Sequence, residues 1–317
     1  MKSMLTQQLF NIIRSVKPDV QDRTIHAHIR LLNNMQKAGI CIDSQPVLGD
    51  ILGYINAIEN LNSRCNYYCA VSVLYQGYPA SSIVLFLIDS CREKISELKS
   101  TIQLQLDEHK KTTVQETNWI SHKKILTAIK KQGEVAKEII NFTVFTGSKS
   151  TIKTVQNWII QCLYMLDPEN PPVRCNYVMK VLYGNQRLSA FVKSNDKQNY
   201  LIVNQNSMSF VFNKYKTQKH YGRKIQKVGD QLYRALKLWL MYRENPVDLL
   251  INTRGKPLSE NNLSIYIAEA FSIYNCKLTI DTLRHIFISD NVNLGNSKKY
   301  AKLMHHSIDE QRQYWKE

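Results

Sequence analysis

The feature that most constrains this chain is a change of hydrophobic period part-way along it. Through residues 1 to about 110 the apolar residues recur at helical spacing. Leu5, Leu9, Ile12 and Ile13 form one stripe, and Ile25, Ile29, Leu32 and Met35 form a second, each on one face of a 3.6-residue turn. The pattern continues over residues 47–61 and 63–74, and residues 83–104 predict a longer helix. Asp107 to Gln115 (DEHKKTTVQ) is polar and aperiodic, the best linker in the chain. Beyond it Ser121 can cap a helix through Lys131, and residues 137–145 and 152–166 add helical segments. Then the period shortens. Residues 199–203 and 209–212 are β-rich, with a hairpin signal between them, and residues 223–228 add a third strand. Helical spacing returns at residues 230–242 and after Ser259. The expected fold class is mainly α with a small antiparallel β-sheet (α+β), in two domains, 1–110 and 111–317.

Charge narrows the partners. The 42 Lys+Arg outnumber the 26 Asp+Glu, a formal net charge of +16, and a protein this basic usually meets a polyanion, most often nucleic acid. The seven cysteines are widely spaced and no His/Cys cluster completes a zinc site, so no metal is expected, and reduced thiols point to an intracellular compartment, cytoplasm or nucleus. The N-terminus lacks the apolar run of a signal peptide, and the apolar stretch 81–88 is too short to span a bilayer. No membrane partner is expected.

Five separated residues have side chains suited to one reaction. Arg174 follows Pro171-Pro172-Val173, Lys216 lies just after the second β-rich run, and Arg284, His306 and Tyr314 fall in order in the last forty residues. Breaking a phosphodiester with a tyrosine needs arginines to clamp phosphate oxygens, a histidine to donate a hydrogen bond and a hydroxyl to attack. Taken singly, each has an ordinary reading: one basic residue among many, a solvated turn, a polar C-terminal helical hairpin.

Taken in order, PPVR (171–174), FVFNKYKTQKHYG (210–222), GKPLS (255–259), LRHIFISD (283–290), LMHHS (303–307) and QRQY (311–314) resemble the catalytic domain of the tyrosine recombinases, the phage-integrase superfamily. The resemblance covers roughly residues 118–317. The PP-x-R and NKYKT blocks look most like integrases of large eukaryotic DNA viruses and their mobile elements. The N-terminal helices are similar in size to that family's SAM-like core-binding domain.

The resemblance implies that Arg174 and Arg284 bind the non-bridging oxygens of the scissile phosphate. It makes Lys216 the general acid that protonates the leaving 5′ oxygen, His306 a phosphate hydrogen-bond donor, and Tyr314 the nucleophile of a 3′-phosphotyrosine link. No cofactor, metal or ATP is then needed. The implied function is a site-specific recombinase or integrase that binds double-stranded DNA as a homodimer or homotetramer, in the cytoplasm, nucleus or viral factory of a host cell. The alternatives are a catalytically altered DNA-binding architectural factor, and a topoisomerase or telomere resolvase with the same chemistry.

The chain departs from the family pattern in three places. Asp281 stands where a histidine is common. It either takes the tyrosine proton, held by Lys216 or an arginine, or only caps the helix of Arg284. His305 stands where glycine usually precedes the histidine, which leaves open whether His305 or His306 faces the phosphate; register favours His306. Only Trp315, Lys316 and Glu317 follow Tyr314, whereas many relatives have a further helix that docks on a neighbouring protomer. His285, next to Arg284, is expected to pack or to support a neighbour rather than to touch substrate.

Overall fold

The computed structural model describes residues 2–43, 45–142, 149–184 and 198–317. The chain divides into two compact units, Met1–Glu108 and His109–Glu317.

The first unit is helical: α1 (Lys2–Val16), α2 (Asp22–Lys37), α3 (Leu48–Asn56), α4 (Leu61–Tyr75) and α5 (Ser82–Asp107). Its core takes Leu9 and Ile13 from α1, Ile25, Ile29, Leu32 and Met35 from α2, and most of α4. The apolar run at 47–61 does not form one helix. Asn60 breaks it by accepting from Ser63 N–H at 2.9 Å and starting α4, the competition that makes Asn a cap rather than an interior residue. Likewise Ser81 caps α5 through Val84 N–H.

The second unit opens with a short helix, α6 (Thr113–Thr117), whose first three residues fall in the stretch expected to be linker. A reciprocal capping box between Thr112 and Gln115 closes it. Next come α7 (His122–Phe142) and α8 (Lys149–Met165). The two helices expected at 121–131 and 137–145 are one continuous α7 through Phe142; residues 143–145 of that expectation lie outside the described residues. Gly133 does not break α7, because its missing side chain lets the indole of Trp158 on α8 approach: a Cβ there would lie 3.0 Å from the Trp158 Nε1.

The sheet contains β1 (Lys180–Tyr183), β2 (Tyr200–Val203), β3 (Met208–Phe212) and, after the short helix α9 (Gln218–Tyr221), β4 (Lys224–Lys227), in the order β1-β2-β3-β4. The expected antiparallel hairpin is β2–β3, paired Tyr200 to Val211 through Val203 to Met208, and β4 adds antiparallel to β3. The sheet as a whole is mixed, because β1 lies parallel to β2. The remaining elements are α10 (Asp230–Tyr242), α11 (Glu260–Ala270), α12 (Ile280–Asn291), α13 (Ser297–Leu303) and α14 (Ile308–Tyr314). They share a core with α7, α8 and one face of the sheet, centred on Trp239, Phe210, Phe212, Phe271 and Phe287. The fold is α+β, predominantly helical. Among the described residues no helix is long and apolar enough to cross a membrane.

Candidate active site

Three elements from distant parts of the second unit meet around the Tyr314 side chain. The first is the Pro171–Arg174 segment after α8, held from below by Tyr164, whose hydroxyl donates to the Arg174 carbonyl at 3.1 Å. The second is α12, capped by Thr279, whose side chain accepts from Thr282 N–H. The third is the α13–α14 corner, where Ser307 caps α14 through Glu310 N–H.

Arg284 lies on the inward face of α12 and is 1% exposed. Its guanidinium carbon sits 4.6 Å from the centre of the Tyr314 ring, a cation–π contact. One terminal nitrogen donates to His306 Nδ1 at 2.7 Å, and the other reaches the Pro172 carbonyl at 3.5 Å. Its Nε has no partner among the described residues. A buried guanidinium with an unused donor is costly unless an anion arrives to use it. Arg174 comes from the opposite side: the same nitrogen contacts Glu310 Oε1 at 2.9 Å and the Tyr314 hydroxyl at 3.4 Å.

Tyr314 is 7% exposed, stacked on His306 with ring planes 25° apart. Burial pushes its phenol above the ordinary range; Arg284 and Arg174 pull the other way, and Asp281 and Glu310 add to the rise.

The two histidines do different things. Gln311 donates to Ser297 O and Oγ, both at 2.9 Å, so its Oε1 faces His306 Nε2 at 3.2 Å. That fixes the His306 proton on Nε2 and leaves Nδ1 to accept from Arg284. Burial and the nearby Arg284 lower the His306 pKa to about 3, so the ring is neutral and orients Arg284. His305 turns away, packing its ring against Phe212 and Tyr215 at 4.9 and 4.8 Å. Its backbone has φ 61°. With His306 N–H donating to the Ala301 carbonyl at 3.1 Å, this is the left-handed ending of α13, the position that favours glycine. Here histidine takes it, at a cost of about 1–2 kcal/mol.

Asp281 does not cap α12, one of the two roles expected of it. The capping oxygen of α12 belongs to Thr279, and the Asp281 carboxylate faces His285, 3.6 Å from Nε2, ion-pair rather than hydrogen-bond distance. The imidazole beside it, with Arg284 and Arg174 beyond, holds this carboxyl below its usual value. His285 Nδ1 in turn lies 2.7 Å from the Tyr314 carbonyl.

Lys216 stands apart from the cluster. It is exposed in the β3–β4 connection and makes no hydrogen bond or ion pair among the described residues. The loop it rides on is nonetheless tied to the site. Thr217 Oγ1 donates to the His305 carbonyl at 2.8 Å. Buried Asn199 accepts from the N–H groups of Asn213 and Lys214, and its amide donates to the carbonyls of Asn176 and Lys214. That side chain joins the exit of the Arg174 segment to the root of the Lys216 loop. Asn199, Glu310 and Gln311 carry no signal in the sequence beyond the four-residue spacing of Glu310 and Tyr314.

No protein-family model and no curated protein matches this chain. The functional reading therefore rests on the residues themselves. The structure brings Arg174, Arg284, His306 and Tyr314 together, places Asp281 one step behind them through His285, and holds Lys216 on an adjacent tethered loop.

Proposed function

We propose that this protein breaks and rejoins DNA through a tyrosine, as a site-specific recombinase or integrase. The observation that carries the reading is the convergence of two guanidinium groups from segments more than 100 residues apart on one tyrosine side chain. Cations aimed where charge develops supply the largest part of the stabilisation in phosphoryl transfer.

In this reading the scissile phosphodiester displaces Glu310 from Arg174 and takes the unused Nε donor of Arg284. Tyr314 gives its proton to water entering with the substrate, and its oxygen attacks phosphorus. The bond to the 5′ oxygen breaks, with Lys216 giving that oxygen a proton. The product is a 3′-phosphotyrosine, and attack by a 5′ hydroxyl reverses the step. The segment 213–228 holds Lys214, Lys216, Lys219, Arg223, Lys224 and Lys227 and no acidic residue, which supports duplex DNA as the substrate. The helical first unit would contribute further backbone contacts, and two or four protomers would pair half-sites.

The test is a nicked duplex, drawn from the ends of the genetic element that encodes the chain, incubated with the protein and run on a denaturing gel. A protein–DNA adduct with the wild type and none with Tyr314→Phe is expected. DNA binding without any adduct would favour a second reading, an architectural DNA-binding factor, which the Arg174–Glu310 pair and the free-standing Lys216 support. Relaxed plasmid without recombinant product would favour a topoisomerase using the same residues.

A further inference from the structure

His306 also borders an open cavity of about 200 Å3, together with His305. Its wall is formed by Tyr221 and Lys224 from the β3–β4 region, Lys298 and Lys302 from α13, and the corner residues His305 to Ile308. None of the lining residues is acidic. Lys298 and Lys302 are four residues apart and so share one face of α13. Lys224 reaches in from the sheet, its Nζ 5.3 Å from the centre of the Tyr221 ring. None of the three lysines forms an ion pair among the described residues.

Three ammonium groups around one concavity repel each other, and the protein provides no counter-charge among the described residues. Burial and the cations nearby, Arg284 among them, lower the pKa of both histidines to about 3, so the rings add no charge and the lysines are the charged groups that line the cavity. The volume equals roughly seven waters at about 30 Å3 each, room for a single hydrated phosphate group. We propose that this cavity is a second phosphate subsite, holding one non-scissile phosphodiester of the strand whose scissile phosphate lies at Arg174 and Arg284. It rests on the DNA-rejoining reading and adds to it a fixed register: His306 borders both places, so a strand seated in the cavity is aligned beside the nucleophile.

The number of phosphates distinguishes this subsite from a diffuse basic surface. Each phosphate neutralised adds about 0.9 to the slope of log affinity against log salt. The protein and a random duplex, titrated from about 50 to 200 mM salt, give the wild-type slope. The triple variant Lys224→Ala/Lys298→Ala/Lys302→Ala should lose about 0.9 of that slope, because three lysines hold one phosphate. Lys298→Ala/Lys302→Ala, at two exposed positions, should weaken binding while leaving Lys224 to neutralise the same group, with an unchanged melting temperature as the check on folding. Lys237→Ala on α10, outside the cavity, should change neither slope nor affinity.

A triple variant with an unchanged slope overturns the subsite. So does a loss near 2.7, which means three separate phosphate contacts, or an equal loss in Lys237→Ala. Those outcomes leave the DNA reading standing. A wild type that shows no salt-dependent DNA binding removes both.

Discussion

His285 Nδ1 lies 2.7 Å from the carbonyl oxygen of Tyr314, while the neighbouring Arg284 stacks on the ring of the same tyrosine. Two consecutive residues of α12 thus hold the backbone and the side chain of the proposed nucleophile. Asp281, one turn earlier, faces the other nitrogen of His285.

Replacing His285 by alanine should loosen α14. The Tyr314 carbonyl would lose a buried donor, a cost of about 1–3 kcal/mol. Hydrogen exchange across residues 308–317 should rise about 5- to 150-fold, with a smaller rise in Asp281→Asn, where the imidazole remains. Unchanged protection in His285→Ala would show that the contact does not anchor the tyrosine.

Glu310 occupies Arg174 where the phosphate is proposed to bind. The two side chains are about one-third exposed, and such a pair contributes about 0.2–1 kcal/mol. Glu310→Gln should therefore leave the melting temperature nearly unchanged and tighten DNA binding by about 1.4- to 5-fold, the same energy expressed as affinity. Weaker binding in Glu310→Gln would mean that the carboxylate assists the substrate instead of competing with it.

Buried His305 and His306 predict the direction of the acid response. Each has a folded-state pKa near 3 against about 6.5 in the unfolded chain. Between these values the unfolded state binds the extra protons, so stability rises with pH and is lost as pH falls from about 6.5 toward 3. The slope is about 1.4 kcal/mol per pH unit for each imidazole. Denaturant midpoints from pH 7 downward should show this slope, and His306→Gln should flatten it. An identical profile in the variant would rule out His306 as a contributor.

Asn199→Ala should destabilise the second unit by leaving the N–H groups of Asn213 and Lys214 without their acceptor, at about 1–3 kcal/mol each. Asn199→Asp keeps the accepting oxygen but turns a second carboxylate oxygen toward the carbonyls of Asn176 and Lys214, so its denaturant midpoint should also fall and should recover in part as falling pH protonates the carboxyl. A midpoint unchanged in Asn199→Ala would show that these bonds do not hold the loop.

Local order was legible from residue spacing. The stripe Ile25, Ile29, Leu32 and Met35 is buried as its period requires, Ser259 caps α11, and the β2–β3 hairpin forms across its turn. What spacing misjudged were places where a distant residue decides. The break expected between Lys131 and residue 137 does not form, and Gly133 within that stretch packs against Trp158. The four residues of β1 have no adjacent partner and become a strand by pairing with β2 and with the 247–249 segment.

The candidate site divides in the same way. Residue type and order alone determined which arginines, histidines and tyrosine were candidates, because the chemistry needs those groups, and the composition determined an excess of positive charge. Tertiary structure decided what each one does. It turned His306 to Arg284 and His305 to the aromatic face of the sheet, placed Glu310 on Arg174, and put Asp281 behind His285. Helical and strand periods are short-range properties that a few neighbours impose. A hydrogen bond between residues 140 positions apart, such as that from Arg174 to Tyr314, depends on how whole elements pack, and no local pattern in the chain encodes it.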